Sequence, residues 1–233
     1  MSASLRSVAI TPDGNRRYAS RYRVSPSAAY AQGFQKVREV SDWALDSGVK
    51  TLTVWGMSHD NFAKRSPQEL TLLFSLMRGR ITEALESTDF DNKGVRVRFV
   101  GRLDVLPEPL RNQMRQLEER TQDNPSLTLN VAVAYSGQEE LVRAARELAG
   151  EVSRGVLAPD EINSARFSQH LYLSEPVDLM IRTGGMKRMS GFLPWQSEYA
   201  EFYFTDKLWP EFTQSDFQAA VDYYHSIPRN FGR

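Results

Sequence analysis

The chain has 233 residues, with 29 Lys plus Arg against 29 Asp plus Glu. This balance excludes the broad basic field that sequence-independent nucleic-acid binding needs, so any phosphate partner must be gripped locally. The absence of cysteine excludes disulfides and thiolate metal sites, and no apolar run approaches the roughly 18 residues of a membrane span. Without an apolar signal segment at the N-terminus, the expectation is a cytoplasmic protein that binds no nucleic acid and meets membranes only at their surface. Nothing in the composition shifts along the sequence, so 1–233 reads as a single domain.

The first predicted element is a short buried strand, Ser7 to Thr11, ended by the turn-forming Pro12-Asp13-Gly14-Asn15, after which a helix follows. From Ser27 to Leu45 the apolar residues Tyr30, Phe34, Val37, Val40, Trp43 and Ala44 keep helical spacing, and Gly48 supplies a stop. Val49 to Gly56 is β-branched and aromatic and reads as a strand. Ser66-Pro67 then reads as an N-cap with proline at the first helical position. Further strands are predicted at Val95 to Val100, Leu127 to Ala134 and Val177 to Ile181, and helices at Pro107 to Arg120, Gln138 to Arg154 and Ser215 to Ser226. This alternation predicts an α/β fold, a mainly parallel central β-sheet flanked by helices, with ligands at the carboxyl ends of the strands.

Three polar segments fall at such strand ends: 13–17, 58–65 and 182–190. Asp13-Gly14-Asn15-Arg16-Arg17 sets a carboxylate, a glycine, an amide and two guanidinium groups just past a strand. Glycine admits close approach of backbone N–H groups, arginine grips phosphate oxygens bidentately, and a lone aspartate can hold a magnesium ion against them. The same segment also reads as an ordinary strand-to-helix turn capped by Asp13 or Asn15. Arg182-Thr183-Gly184-Gly185-Met186-Lys187-Arg188-Met189-Ser190 repeats the chemistry with three cations, two glycines and two hydroxyls. Alone it would be solvated surface; paired with the first cradle it suggests two phosphorylated substrates. The aromatic stretch 195–204 carries Glu198 and Glu201 and by itself reads as core. His59, His170 and His225 share no zinc-site spacing.

These residues resemble the cis-prenyltransferase family, whose best-known members are undecaprenyl diphosphate synthases, over nearly the whole chain. The resemblance is carried by Asp13 to Ala19, by Ser58-His59-Asp60-Asn61-Phe62, by Asn130 to Gly137, and by Asp178 to Phe204 followed by Leu208-Trp209-Pro210. It implies an α/β prenyltransferase that needs Mg2+ and joins an allylic prenyl diphosphate to isopentenyl diphosphate. Asp13 would hold the metal, with Asn15 orienting the reacting groups, while Gly14, Arg16, Arg17, Tyr18, Arg21, Asn61 and Phe62 line the allylic site. Arg182, Arg188 and Ser190 would bind the acceptor diphosphate, and Glu201 would complete the metal site. Leu70, Leu73, Phe74 and Met77 are candidates for the wall of a prenyl tunnel, although their spacing equally suits plain core. The family also implies a homodimer whose C-terminal arginines reach the neighbouring site, and membrane contact through a lipid product.

The departures from the family pattern cluster on the acceptor side. Arg16 replaces a glycine, Tyr18 a tryptophan, Tyr30 a histidine, Met186 a glutamate and Gly191 an asparagine, and Lys187 stands where histidine is common. The C-terminal Arg-x-Gly becomes Asn230-Phe231-Gly232, leaving Arg229 or Arg233 to serve. Similar drift marks members that make non-head-to-tail condensations, such as cyclolavandulyl diphosphate synthase, so a second allylic diphosphate or another nucleophile is an alternative acceptor. A non-catalytic partner subunit of the Nogo-B receptor kind is a further alternative, opposed by the presence of Asp13. A trans-type prenyltransferase is disfavoured, because Asp89-Phe90-Asp91 is the nearest approach to its paired aspartate-rich helices.

Overall fold

The computed structural model of the chain describes residues 4–228. In chain order the elements are β1 (Ser7–Thr11), α1 (Asn15–Tyr22), α2 (Pro26–Asp46), β2 (Thr51–Trp55), α3 (His59–Lys64), α4 (Pro67–Glu86), α5 (Asp89–Lys93), β3 (Val95–Val100), α6 (Glu108–Thr121), β4 (Leu127–Ala132), α7 (Gly137–Ser153), α8 (Ser164–Gln169), β5 (Leu179–Arg182), β6 (Glu201–Phe204) and α9 (Gln214–Ser226). The six strands form one sheet in the order β3-β4-β2-β1-β5-β6, parallel at every pairing. The connections between successive strands lay helices on the sheet, except that from β5 to β6, which is a loop.

Local chemistry explains where the helices begin. Ser25 accepts a hydrogen bond from the Ala28 N–H ahead of Pro26, and Ser66 does the same for the Glu69 N–H ahead of Pro67; both join a hydroxyl cap to a proline that needs no donor. The main core lies on one face of the sheet. Val8 and Ile10 of β1, Leu52 and Val54 of β2, and Leu127 and Leu129 of β4 pack there with Val40 of α2, Leu73 and Met77 of α4, Leu110 and Met114 of α6 and Phe217 of α9. The alternate residues Ala9, Val100, Ala132 and Met180 join Tyr135, Leu173, Phe192 and Leu193 in a smaller cluster on the other face. Among the described residues no helix is long and apolar enough to cross a membrane.

The predicted parallel sheet is observed, with shifted strand ends. The fourth predicted strand stops at Ala132 instead of Ala134, which takes a left-handed φ of 48°. The next begins at Leu179, because the Val177 N–H is given to the Gln196 carbonyl. The short helices α3, α5 and α8 span too few residues to show a period, and β6 was hidden in a uniformly aromatic run.

The topology fixes the place of a site. From β1 the chain moves to β2 on one side, and after β4 it returns to place β5 on the other, so the connections diverge between β1 and β5. In an open parallel sheet the crevice lies at the carboxyl ends of the strands at such a switch. Thr11 of β1 lies beside Arg182 of β5 at those ends.

Candidate active site

Asp13 stands just beyond the tip of β1. Its N–H donates to Thr183 Oγ1 at 2.9 Å, and the Thr183 hydroxyl donates to the Asp13 carbonyl at 2.8 Å, so the loops after β1 and β5 are fastened backbone to side chain. The Asp13 carboxylate is bracketed by guanidinium groups: Oδ1 accepts from Arg17 at 3.0 Å and Oδ2 from Arg182 at 3.0 Å. Arg182, whose side chain is only 7% exposed, also donates to the Arg188 carbonyl and to Ser190 Oγ, each at 2.7 Å. Arg188 in turn donates from Nε to Ser190 Oγ at 3.3 Å. The 182–190 loop curls back to meet Nη1 of this buried guanidinium and Asp13 meets Nη2, while its Nε is buried without a partner.

Glycine permits the closest approach. Gly184 has φ +82°, and a Cβ there would stand 2.4 Å from Arg17 Nη2 and 3.0 Å from the Asp13 carbonyl oxygen. Arg17 donates to the Gly184 carbonyl at 2.7 Å. Gly14, with φ +121°, opens α1 against Leu208. The two predicted cradles are therefore one structure.

A cavity of about 770 Å³ opens from these strand tips. Its polar end is lined by Asp13, Asn15, Arg17, Arg182 and Ser190, and its apolar wall by Phe34 and Val37 of α2, Val54 of β2 and Leu73 of α4. Asn15 Oδ1 is buried there without a hydrogen-bond partner. A second polar cluster closes the side between α1 and α4. Arg16 grips Glu69 through both oxygens, at 2.7 and 2.5 Å, and Tyr30 donates to Glu69 at 2.7 Å. Burial alone would raise the Glu69 pKa, but hydrogen bonds from Arg16 and Tyr30 outweigh it and hold the carboxylate below its ordinary value. Burial, then the hydrogen bond to Glu69, raises the Tyr30 phenol.

The structure brings together Asp13, Gly14, Asn15, Arg16, Arg17, Arg182 and Ser190, with Asn61 on the same lining and Arg188 bonded to Ser190. It places the other predicted site residues elsewhere. Tyr18 packs on Tyr22, their centroids 4.6 Å apart; Arg21 is spent on Glu211 at 3.1 Å; Phe62 leans on Phe74, with centroids 6.3 Å apart. Glu201 begins β6 beside Leu179, three register positions before Phe204 meets Arg182, or about 10 Å short of the strand tip. Within one chain it does not join Asp13 in a metal site. Of the four tunnel candidates only Leu73 lines the cavity; Met77 is core, and Leu70 and Phe74 pack against it. Arg229 and Arg233 lie outside the described residues. The residues that sequence reasoning missed are Thr183, read only as a loop hydroxyl, and Glu69, which follows the Ser66-Pro67 helix start; neither announces its partner, Asp13 lying 170 residues from Thr183 and Arg16 lying 53 from Glu69.

Known proteins share this fold. Residues 11–232 match the undecaprenyl diphosphate synthase family model. An undecaprenyl-diphosphate synthase from Methanopyrus kandleri is 41% identical over 97% of this chain and 84% of its own. An isoprenyl transferase from Thermus thermophilus is 42% identical over 95% and 86%. The crystal structure of lavandulyl diphosphate synthase from Lavandula x intermedia in complex with dimethylallyl diphosphate superposes with a TM-score of 0.89 at 34% identity, covering 97% of each chain.

Proposed function

The chain belongs to the undecaprenyl diphosphate synthase family of prenyltransferases, and from that footing we propose that it moves a prenyl group from an allylic diphosphate to isopentenyl diphosphate with release of diphosphate. One observation carries the reading: a carboxylate set between two guanidinium groups at the mouth of a cavity whose wall turns from polar to apolar. Arg17 and Arg182 supply fixed positive charge where negative charge grows on the leaving diphosphate as the allylic C–O bond breaks. Arg182, Arg188 and Ser190 would hold the acceptor's diphosphate, and Phe34, Val37, Val54 and Leu73 give the prenyl chain an apolar wall. The proton released from the acceptor would pass to Asp13 or to a diphosphate oxygen.

The donor set suits magnesium as an ion shared with substrate. Asp13 is a single, 30% exposed carboxylate, and the described residues hold no group of three His, Cys, Asp or Glu that would cage an ion; magnesium favours one or two carboxylates plus substrate phosphates. Bound at Asp13, it would neutralise and orient the leaving diphosphate. The unpartnered Asn15 Oδ1 would orient the groups gathered there.

A second reading, transfer to another allylic diphosphate, is favoured by the lavandulyl diphosphate synthase likeness. The acceptor loop supports it too, since Met186 and Gly191 bring neither charge nor amide where the family carries both. Mass spectrometry of products from dimethylallyl, farnesyl and geranylgeranyl diphosphates, the last because the Methanopyrus relative is named as specific for it, each with and without isopentenyl diphosphate, decides between them. Product that forms equally well without isopentenyl diphosphate would overturn the first reading. The same proposal includes a homodimer formed along the β6 edge, where Tyr199 is exposed and Tyr223 packs at a tilt against Tyr203, and contact with a membrane surface through the lipid product.

A further inference from the structure

The face of the sheet opposite the main core carries polar groups that prenyl transfer does not explain. Interior parallel strands are ordinarily apolar on both faces. Here the amino-terminal half of that face is polar across four strands. One register row runs Arg96, Thr128, Thr51, Ser7, and the row above it begins Arg98, Asn130, Thr53. These rows floor a second cavity of about 350 Å³, roofed by residues 169–177 and Gln196.

Its polar groups are incompletely matched. The guanidinium groups of Arg96 and Arg98 have no ion pair or hydrogen bond among the described residues. The one carboxylate of the lining, Glu175, accepts from Thr51 at 3.2 Å. Asn130, 1% exposed, gives its amide N–H to Thr53 at 3.2 Å, and Gln196, 3% exposed, gives its own to the Leu173 carbonyl at 2.8 Å. Both carbonyl oxygens, Asn130 Oδ1 and Gln196 Oε1, are buried without a donor. Buried acceptors in native proteins are met, so the cavity calls for hydrogen-bond donors at its base and an anion at its rim. The two guanidinium-bearing positions are about 7 Å apart along one strand, a span that one tetrahedral phosphate can bridge with separate oxygens.

We propose that this cavity binds a phosphate ester carrying free hydroxyls, with the phosphate on Arg96 and Arg98 and the hydroxyls on Asn130 and Gln196, separately from the strand-tip pocket.

Calorimetric titration of the full chain with glycerol 3-phosphate, inorganic phosphate and glycerol tests this. Glycerol 3-phosphate should bind saturably and more tightly than inorganic phosphate, with no heat from glycerol. The double variant Arg96→Gln, Arg98→Gln should weaken it at least about tenfold while keeping the parent's melting temperature and prenyl transfer. Arg17→Gln with Arg188→Gln, at the strand-tip pocket, should leave it within about twofold. Co-sedimentation with phosphatidylcholine vesicles, with and without phosphatidylglycerol, tells a lipid headgroup from a soluble ester; vesicle binding lost in the Arg96, Arg98 variant assigns the ester to a lipid. The proposal is overturned if glycerol 3-phosphate gives no saturable heat, if the Arg96, Arg98 variant binds it like the parent, or if inorganic phosphate binds as tightly.

Discussion

Replacing Asp13 with asparagine separates the structural part of this residue from the chemical part. Asparagine keeps one carbonyl oxygen for Arg17 but turns an amide N–H₂ toward Arg182, donor against donor. One charge-assisted hydrogen bond is lost, worth about 1.5–3 kcal/mol. Arg182 cannot recover it from water, being 7% exposed, yet it keeps the Arg188 carbonyl and Ser190 Oγ. A net loss near 2 kcal/mol against a typical domain stability of about 5–15 kcal/mol leaves the protein folded. Turnover should suffer far more. If Asp13 holds the ion and poises the leaving diphosphate, several kcal/mol of transition-state stabilisation disappear, roughly a thousandfold in rate. The assay is conversion of labelled prenyl diphosphate in magnesium, with a circular-dichroism melt on the same sample, and with parent enzyme treated with EDTA and then resupplied with magnesium. A folded Asp13→Asn protein that retains more than about a tenth of parental turnover, or a parent indifferent to EDTA, would refute the reasoning.

Gly184→Ala should destabilise the chain by about 1–3 kcal/mol, because a side chain at φ +82° is strained and the added methyl presses on Arg17 and the Asp13 carbonyl; thermal melts and turnover, both reduced, are the check. Glu69 sets a small acid-side dependence: its folded pKa is held below the ordinary 4.5, so the stability it contributes is present above that value and is lost as pH falls through the folded one. Since Arg16 is largely exposed, Glu69→Gln should cost under about 1 kcal/mol at neutral pH and flatten that part of a melting-temperature profile. Glu140 has the opposite sign. Burial raises its carboxyl, against hydrogen bonds from Tyr135, Tyr172 and Gln196, so its contribution is complete below 4.5 and declines as pH rises through the folded value. In Glu140→Gln, melts from acid toward neutral pH should lose that decline.

Most of the architecture was legible because the strands are short and β-branched and the helices between them long enough to show a period, as α2 and α4 do. The pairing of Asp13 with Arg182 was legible in kind, as two anion cradles at strand ends, because glycines and arginines in such loops have few other uses. Their direct contact was not, since it depends on β5 returning to the flank of β1, a choice no local pattern records. Tyr18, Arg21 and Phe62 are off the cavity lining for the converse reason. They neighbour site residues in sequence, but a helix turns successive side chains about 100° apart, and Arg21 found Glu211 instead.

The same register argument explains why the two ends of the site differ in how they can vary. Asp13 and Arg182 follow or end adjacent strands, and Arg182, 7% exposed, gives one charge-assisted hydrogen bond to Asp13, so loss of the Asp13 charge leaves a buried guanidinium short of an anionic partner. Met186 to Gly191 hang between β5 and β6, touching that pair only through Ser190 and one backbone carbonyl. Substitution there leaves the carboxylate and its guanidinium brackets in place. Departures from the family pattern in this loop are therefore what the scaffold tolerates most readily, and under the proposed assignment of the loop to the acceptor diphosphate, the acceptor is the property it can change without refolding.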